Sequence, residues 1–492
     1  MSDTVLAPPG TRRSVTHRFL VLLGAFVALV AVTALVKAPS LSNREFNSDE
    51  AYVATQAQVL RDGGHLYHDT VDRKPPALPY LYAASFAVTG SDELLPLHVL
   101  AIVADAATAL LLAIEARRRF GTTTAGVIVA ALFVASVAAF APQDALAANF
   151  ETFMLPLATA AMLLGIRRRP AASGVMLALA TLAKQTAAGV LLPLAWLAWR
   201  ARRRRGVLSL LVAFLGVMLV TAFAFGIPEF VFWVFTGNGS YLDASRTLGY
   251  GVHEAAARTW SFVQGHLVLL LLVPFAWRSR KADTELWLWL VAAVVSVCAG
   301  LRFFGHYYLE LLPPLCLLAT RAITSRAVFR RPVAVVGLVA LAVVPAIPFV
   351  ARGYSDGTGR DVIIAEAVAA YVRKHTPADA RILVWGQAPE VYWKSARRPA
   401  TRFATTGFVT GSTGNRPVTS VGEVNAVPGA WGDFLDDLHA HRPALIVDMS
   451  TANQRGAASY PPSKFPRFAR YLHDGTWHPV ATVAGATVYA SS

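Results

Sequence analysis

Long apolar runs alternate with short polar segments along roughly the first 350 residues of the chain. Many of these runs are close in length to a membrane-spanning helix, which needs about 20 residues to cross a hydrocarbon core of about 30 Å. We therefore predict about 11 membrane-spanning helices, near residues 18–37, 95–114, 123–141, 150–166, 171–187, 188–200, 207–226, 265–278, 285–301, 305–320 and 332–350.

One further apolar stretch, "KPPALPYLYAASFAVTG", does not fit this series. It has only about a dozen apolar residues after its prolines, which is short for a crossing. Counting it as a crossing would also place Arg117, Arg118 and Arg119 on the opposite side from the other arginine clusters. We therefore predict that Pro76–Val88 is a juxtamembrane or re-entrant helix.

Basic residues cluster at the ends of the apolar runs. The clusters are "TRRSVTHR", "EARRRF", "IRRRPA", "WRARRRR", "WRSRK" and "TRAITSRAVFRR". This placement follows the positive-inside rule, which assigns arginine-rich loops to the cytoplasm. It predicts a multi-pass protein of the plasma membrane with a cytoplasmic N-terminus and an outer C-terminus.

Composition supports the same conclusion. The chain is 55% hydrophobic and 15% charged, whereas soluble domains are about a quarter charged. Its net charge of +15 could suggest nucleic-acid binding, but the charge sits in topogenic clusters, so no nucleic-acid partner is expected.

The pattern changes after about residue 351. "DVIIAEAVAAYVRKHT" predicts a helix with Asp361 as N-cap, and "DFLDDLHAH" predicts a second helix. "RILVW" and "ALIVDM" are typical of buried strands, and "WHPVATVAGATVYA" of a closing hairpin. We predict an α-helical membrane domain over 1–350, with a first outer loop at 38–94, and a small soluble α/β domain over 351–492.

Ionisable residues gather on the predicted outer face, where such residues suggest function. They are Asp49, Glu50, His65, His68, Asp69, Asp72, Arg73, Lys74, Glu151, Lys184, Arg302 and His306, with Asn149, Tyr307 and Tyr308 beside them. Arg73 and Lys74 form the only adjacent basic pair placed outside before the tail. Because they oppose the inside bias, they indicate an anion such as a phosphate on that side.

Each residue also has a structural interpretation. Ser48 or Asp49 could cap the following helix, and Glu151 could favour a helix dipole. Lys74 could extend to lipid headgroups, and the "RFFGHYY" segment could be an aromatic belt. A zinc cluster is not indicated, since the histidines lack ligand spacing and no cysteine lies outside.

The segment "SDEAYVATQAQVLRDGGHLYHDTVDRKPPALPYLY" resembles the first outer loop of GT-C superfamily membrane glycosyltransferases. It is most similar to the branch of protein O-mannosyltransferases and aminoarabinose transferases, in glycosyltransferase family 39. "ANFETF" resembles the second acidic site of that branch, although relatives often have Asp where this chain has Glu151. "HYYLELLPP" resembles the late Tyr-to-Pro segment near the lipid phosphate.

The resemblance implies transfer of a sugar from a polyprenyl-phosphate donor in the lipid bilayer to an extracytoplasmic acceptor. It implies Asp49 as the catalytic base, Glu151 as a second catalytic carboxylate, and a divalent cation held by these two as an optional cofactor. The residues expected to bind the donor phosphate are Arg73, Lys74, Arg302, His306 and Tyr307.

Two other classes of function fit a polytopic chain. A transporter or lipid-sugar flippase would favour charged or broken helices near mid-membrane and internal repeats. The charge here lies at one rim and no repeat is visible. The third interpretation is a membrane scaffold with an inactive transferase core, which the presence of Asp49 and Lys74 disfavours.

Overall fold

The computed structural model describes residues 9–42, 44–238, 248–325, 331, 333, 336–337, 340, 343–355, 359–412 and 421–492. Within these ranges the chain is mainly helical, with one small sheet near the C-terminus. Much of the predicted span at 332–350 lies outside the described residues.

The long helices of the first part follow the apolar runs. The α-helices up to residue 355 are Pro9–Val36, Ser48–Arg61, Ala77–Thr89, Leu95–Phe120, Thr123–Val137, Pro142–Ala145, Phe150–Ile166, Pro170–Ala183, Leu191–Phe225, Ile227–Val234, Leu248–Gly265, Leu267–Leu272, Thr284–Cys298, Leu312–Ser325 and Ala346–Ser355. Short 3₁₀ turns at Gln185–Val190, Val273–Ser279 and Gly305–Leu311 interrupt or extend them.

Among the described residues, three helical segments are long and apolar enough to cross a membrane: Phe19–Val36, Leu95–Phe120 and Gln185–Phe225. Gly251–Gly265 and Leu267–Ser279 together form a fourth candidate, bent by 81°. Several other apolar helices are shorter, so the number of crossings stays a prediction.

The longest helical segment is two helices joined at an arginine cluster. Arg202 and Arg203 leave helical geometry, and a Cβ on Gly206 would lie 2.2 Å from the Ala198 carbonyl oxygen. Residues eight positions apart in a straight helix are about 12 Å apart, so the chain folds back here. The predicted spans 188–200 and 207–226 are thus separate helical segments.

A buried ion network joins the arginine-bearing ends of two helices to the acidic start of a third, Thr284–Cys298. Arg119 contacts Asp283 at 2.8 Å and Glu285 at 2.6 Å, and Arg321 contacts Asp283 at 2.6 Å. Asp283 is fully buried, and a buried carboxylate requires such partners. The clusters around Arg119 and Arg321 therefore lie at one end of the bundle, as the charge pattern predicted.

The first and fourth helices are joined by a buried ion pair that the sequence analysis did not anticipate. Lys37 Nζ lies 2.9 Å from Asp105 Oδ2, and the two side chains are 1% and 4% exposed. Charges this deep within an apolar bundle are tolerated because they neutralise each other.

The predicted re-entrant segment forms the helix Ala77–Thr89, which ends at Gly90 in the left-handed conformation. Its 13 residues span about 20 Å, less than a hydrocarbon core. Tyr82 and Phe86 are buried against the helix Ser48–Arg61. The helix is confirmed, and its depth in the membrane stays a prediction.

The C-terminal segment forms the predicted α/β arrangement. Its strands are β1 (Arg381–Trp385), β2 (Arg398–Pro399), β3 (Leu445–Asp448), β4 (Trp477–Val483) and β5 (Ala486–Ser491), in the sheet order β2-β1-β3-β5-β4. β1 pairs in parallel with β2 and β3, while β5 pairs antiparallel with β3 and β4. Both predicted buried strands and the closing hairpin are confirmed.

The helices described in this segment are Arg360–His375, Glu390–Ser395, Gly407–Thr410, Ala430–Ala440 and Pro466–Asp474. The predicted N-cap Asp361 is wrong by two positions. Gly359 occupies the N-cap, and Asp361 lies in the first turn, where its charge still favours the helix dipole.

The C-terminal domain lies directly on the first loop. Thr55 Oγ1 donates to the Pro389 carbonyl at 3.0 Å, and Gln58 Nε2 donates to the Trp393 carbonyl at 3.1 Å. The Trp393 indole in turn donates to the Asp92 carbonyl at 2.9 Å. The first loop is therefore held between the membrane helices and the C-terminal sheet.

Candidate active site

The residue that caps the first-loop helix is Asn47, and neither Ser48 nor Asp49 takes this role. The Asn47 side chain accepts a hydrogen bond from the Asp49 backbone N–H at 3.0 Å, and Glu50 completes a capping box. The capping interpretation of Asp49 is thus wrong, and its carboxylate is available for other chemistry.

Glu50 has a structural position. Its side chain is fully buried, and it accepts hydrogen bonds from the Phe46 and Ala148 backbone N–H groups at 2.8 Å each. His98 Nε2 lies 2.7 Å from Glu50 Oε1, the same oxygen that accepts from Ala148. Glu50 therefore joins the first loop to the segment before Glu151.

Asp49 and Lys74 form an ion pair near the surface. Lys74 Nζ lies 3.2 Å from Asp49 Oδ2, and the side chains are 26% and 35% exposed. The ammonium group also lies 4.1 Å from the ring centre of Phe150. Lys74 thus points towards the carboxylate, which is not the orientation of a lysine extended to lipid headgroups.

The electrostatics keep Asp49 ionised. Burial opposes ionisation, but the positive charges of Lys74 and His306 outweigh it and hold the pKa of Asp49 below its ordinary value. Asp49 is therefore a carboxylate at neutral pH.

A second lysine lies between two buried carboxylates. Lys184, where the helix Pro170–Ala183 ends, contacts Glu151 and lies 3.1 Å from Glu310 Oε1. Thr186 Oγ1 donates to the same Glu310 oxygen at 2.6 Å, and the Tyr307 ring centre is 3.9 Å from Lys184 Nζ. This group is satisfied internally, as buried charges must be.

His306 connects this group to another acid. Its backbone N–H and Nδ1 lie 3.0 Å and 3.2 Å from Asp144 Oδ1, and its Nε2 lies 3.8 Å from Glu151 Oε1. A Cβ on Gly305 would collide with the Asp144 carboxylate in its present position.

The backbone before His306 is strained. Leu301 and Phe303 have φ of 48° and 51°, a region that bulky residues avoid. Arg302 lies between them and is buried. Such strain often accompanies functional sites.

The structure brings most predicted site residues to one end of the bundle. Asp49, Lys74, Glu151, His306 and Tyr307 belong to linked contacts, as described above. The guanidinium of Arg73 instead lies 4.5 Å from the ring centre of Phe408 in the C-terminal domain. Roles for Arg73 and Arg302 in phosphate binding stay predictions.

Three residues gain a place that the sequence analysis had not assigned. Asp144 lies in the same polar linker as Glu151, "APQDALAANFE", which was a usable signal. Glu310 is a lone acid within the apolar "YYLELLPP", a pattern that deserves suspicion in a membrane helix. Lys184 had been placed on the outer face without a role.

The predicted metal ligands are occupied by lysines. Asp49 pairs with Lys74 and Glu151 with Lys184, so each carboxylate already has a cation. Within the described ranges, no group of three or more His, Cys, Asp or Glu side chains could hold a metal ion. The donor set does not fit a resident divalent cation, and we derive no chemical step through one.

Comparison with known proteins gives matches in sequence and in fold. Residues 73–231 match the sequence model of a family described as dolichyl-phosphate-mannose-protein mannosyltransferase. The match covers less than half of the chain and includes Lys74, Glu151 and Lys184. No curated protein sequence matches the chain.

Solved structures share the fold over nearly the full length. ArnT from Cupriavidus metallidurans bound to undecaprenyl phosphate superposes with a TM-score of 0.60 at 16% identity, covering 95% of this chain and 98% of that chain. Its apo state gives 0.60 at 14% identity with the same coverage. The Archaeoglobus fulgidus oligosaccharyltransferase with Zn and sulfate gives 0.51 at 14% identity, covering 94% of this chain and 73% of that chain.

At these identities the structural likeness establishes the fold, and the family match adds a sequence relationship over residues 73–231, which include only the end of the first loop. The resemblance inferred from the first loop is thereby confirmed: the chain has the fold of the GT-C superfamily of membrane glycosyltransferases.

Proposed function

We propose that this protein is a glycosyltransferase that moves a sugar from a polyprenyl-phosphate donor to an extracytoplasmic acceptor. The observation that carries the proposal is the partly exposed Asp49–Lys74 pair. It sets a carboxylate and an ammonium group side by side at one end of an apolar bundle. ArnT, which shares the fold, was solved with undecaprenyl phosphate, a ligand of the proposed donor class.

The chemistry needs one group for a proton and one for a phosphate. The acceptor oxygen attacks the anomeric carbon, the bond from that carbon to the phosphate oxygen breaks, and the electron pair leaves with the phosphate. Asp49 takes the acceptor proton, a role for which a positioned carboxylate is suited. Lys74 neutralises the phosphate as its negative charge increases.

The ion pair also provides a way to activate the base. Lys74 helps to hold the pKa of Asp49 low, which makes the carboxylate a weak base in the free protein. When a donor phosphate binds Lys74, it partly neutralises the ammonium charge, so Lys74 lowers the pKa of Asp49 less. Asp49 then becomes more basic when donor is present, which couples donor binding to proton removal.

The buried group around Lys184 has a supporting role in this proposal. Lys184, Glu151, Glu310 and His306 are buried and already satisfy one another. We assign them to positioning Asp49 and the donor, with His306 also contributing positive charge near Asp49.

We further propose that the site and the C-terminal domain face outward across the plasma membrane. The support is the separation of charge along the bundle. The arginine network of Arg119 and Arg321 lies at the end of the helices opposite to the polar site, and the positive-inside rule favours the cytoplasm for such an end.

A transporter or flippase is the second candidate. The charged side chains of the site lie where helices begin or end, as Glu151 and Lys184 do, which favours surface chemistry over a midplane transport site. The Lys37–Asp105 pair is deeper, but its closed geometry fits structural pairing.

The test uses the purified full-length protein in nanodiscs with polyprenyl-phosphate mannose, arabinose and aminoarabinose donors and a cell-envelope extract as acceptor. We expect sugar transfer and release of polyprenyl phosphate, and a loss of about 100-fold or more in Asp49→Asn. Asp69→Asn, in the same loop and exposed, is the control and should keep full turnover. Unchanged thermal unfolding would show that both variants are folded.

Transfer by Asp49→Asn at the wild-type rate would reject Asp49 as the base. If wild-type protein moves lipid-linked sugar between leaflets without transferring it, the transporter is correct. Comparing envelope glycans of cells with and without the protein would then identify the acceptor.

A further inference from the structure

A cleft on the C-terminal domain lies between two helices, each of which lines it with the side chains of one face. The helix Ala430–Ala440 and the residues just after it contribute one wall, and the helix Pro466–Asp474 contributes the other. On the second helix, Arg467, Arg470, Tyr471 and Asp474 follow the spacing of one helical face. The cleft has a volume of about 490 Å³, within the range of small-molecule sites.

Aromatic rings line one part of the cleft. The ring centres of Tyr471 and Trp477 are 6.4 Å apart with an interplanar angle of 30°, and both side chains are half-buried. Phe468 stacks on Tyr471 with ring centres 6.1 Å apart, and the Arg442 guanidinium lies over the Trp477 ring. The exposed remainder of these rings provides rigid apolar contact area with little loss of conformational entropy on binding.

Guanidinium groups line the rest. Arg442 donates to the Gly475 carbonyl at 3.2 Å, with its guanidinium 5.8 Å from the Trp477 ring centre. Arg467 has a single carboxylate 3.6 Å away, on Glu423. Arg470 is exposed and forms no ion pair among the described residues.

The cleft therefore carries excess positive charge. Three arginines line the cleft against two acids: Glu423, beside Arg467, and Asp474, which also lies 3.3 Å from His473 Nδ1. Arginine forms paired hydrogen bonds with carboxylates. Aromatic rings in the same cleft accept the apolar face of a sugar ring. A bilayer presents an extended flat surface, which a concave site with aromatic rings does not match. The arginines, the rings and the concave shape together therefore favour a discrete acidic sugar over a lipid headgroup.

We propose that this cleft binds an acidic saccharide, one or two sugar units that carry a carboxylate. The assignment of this saccharide as part of the acceptor glycan rests on the proposed function. The domain lies against the first loop, through Thr55 and Trp393, so it is positioned on the same side as Asp49. The cleft would retain a polymeric acceptor while one of its ends reaches the site.

The binding test is independent of sugar transfer. Full-length protein in nanodiscs of zwitterionic lipid is titrated with digalacturonic acid by calorimetry, with no donor present. Digalactose serves as the neutral ligand, and vesicles containing phosphatidylglycerol serve as the anionic lipid surface. We expect saturable binding of the acidic disaccharide and at least tenfold weaker binding of the neutral one.

Two variants locate the site. Arg470→Ala removes an exposed side chain, so the domain should stay folded, and we expect binding to weaken about tenfold. Lys374→Ala removes a charge from the exposed end of another helix of the same domain and should bind as wild type does. Binding by Arg470→Ala equal to wild type overturns the proposal. No binding by wild type at millimolar concentration, equal affinity for the neutral sugar, or binding to the anionic vesicles alone overturns it as well.

A last measurement separates this proposal from the proposed function. If transfer occurs, Arg470→Ala should raise the acceptor KM and leave the donor KM unchanged. If transfer fails for every donor while the acidic disaccharide still binds, the proposed function is wrong and the cleft assignment stands.

Discussion

Replacing Lys74 should weaken donor binding strongly and change fold stability little. Its ion pair with Asp49 contributes little to stability, whereas its proposed contact with the donor phosphate contributes more. Lys74 Nζ lies 3.2 Å from Asp49, but the two side chains are 26% and 35% exposed. A pair this accessible to water contributes about 1 kcal/mol or less. We therefore expect Lys74→Ala to unfold within a few degrees of wild type.

The effect on the donor should be larger. A charge-assisted contact to a phosphate, shielded from water once the donor is bound, contributes about 1.5–3 kcal/mol. Since about 1.4 kcal/mol corresponds to a factor of ten, Lys74→Ala should raise the donor KM by about 10- to 100-fold. The acceptor KM should change little. Lys74→Arg should restore part of the activity, because the positive charge returns with a different shape.

The same variant should shift the pH dependence. Burial raises the pKa of Asp49, and Lys74 is the main charge that lowers it. Without Lys74 the pKa of Asp49 rises, so the base becomes protonated at a higher pH. The acidic limb of the kcat/KM profile should move upward in pH.

The assay is steady-state kinetics on purified full-length protein in nanodiscs, with donor and acceptor varied separately from pH 4 to 8. Lys374→Ala is the matched control, since that lysine is exposed and lies outside the site. If Lys74→Ala saturates with donor as wild type does and keeps the same acidic limb, Lys74 does not bind the phosphate and the reasoning fails.

Two further predictions concern buried carboxyl groups. Glu50→Gln should lower the unfolding temperature markedly, because an amide cannot accept hydrogen bonds from Phe46, Ala148 and His98 together, and each unsatisfied buried donor costs about 1–3 kcal/mol; an unchanged melting curve would show that the capping box is dispensable. Burial and the neighbouring Glu390 raise the pKa of Glu45 well above 4.5. Between the unfolded and the folded pKa of Glu45, the folded state holds a proton that the unfolded state has lost. The stability of the fold should therefore fall as pH rises from the unfolded pKa through the folded pKa. Glu45→Gln should abolish this fall and raise the unfolding temperature at pH 8 more than at pH 5, and a parallel decline in both proteins would contradict the assignment.

Local patterns were sufficient to predict the elements of this protein. Apolar runs with arginines at their ends predicted helices whose basic ends gather on one side, and Arg119 and Arg321 share Asp283 there. The prolines after Lys74 predicted the start of the helix Ala77–Thr89, since proline suits a first helical turn. Alternation of side chains predicted the closing hairpin, and the first-loop pattern indicated the superfamily. These signals depend on neighbours a few residues apart.

Which side chains meet in the site was decided by the tertiary structure. Asp144 meets His306 across 162 residues, and Lys184 meets Glu310 across 126. No sequence period specifies such pairs, because they depend on how helices cross and on how deeply each one sits in the bundle. The same holds for the contact of the C-terminal domain with Thr55, which places a separate domain on the first loop. The sequence by itself determined which residues are polar and at which helix end they lie. Packing decided that Glu50 is buried within a closed set of hydrogen bonds, while Asp49, at the preceding helix position, is partly exposed and pairs with Lys74.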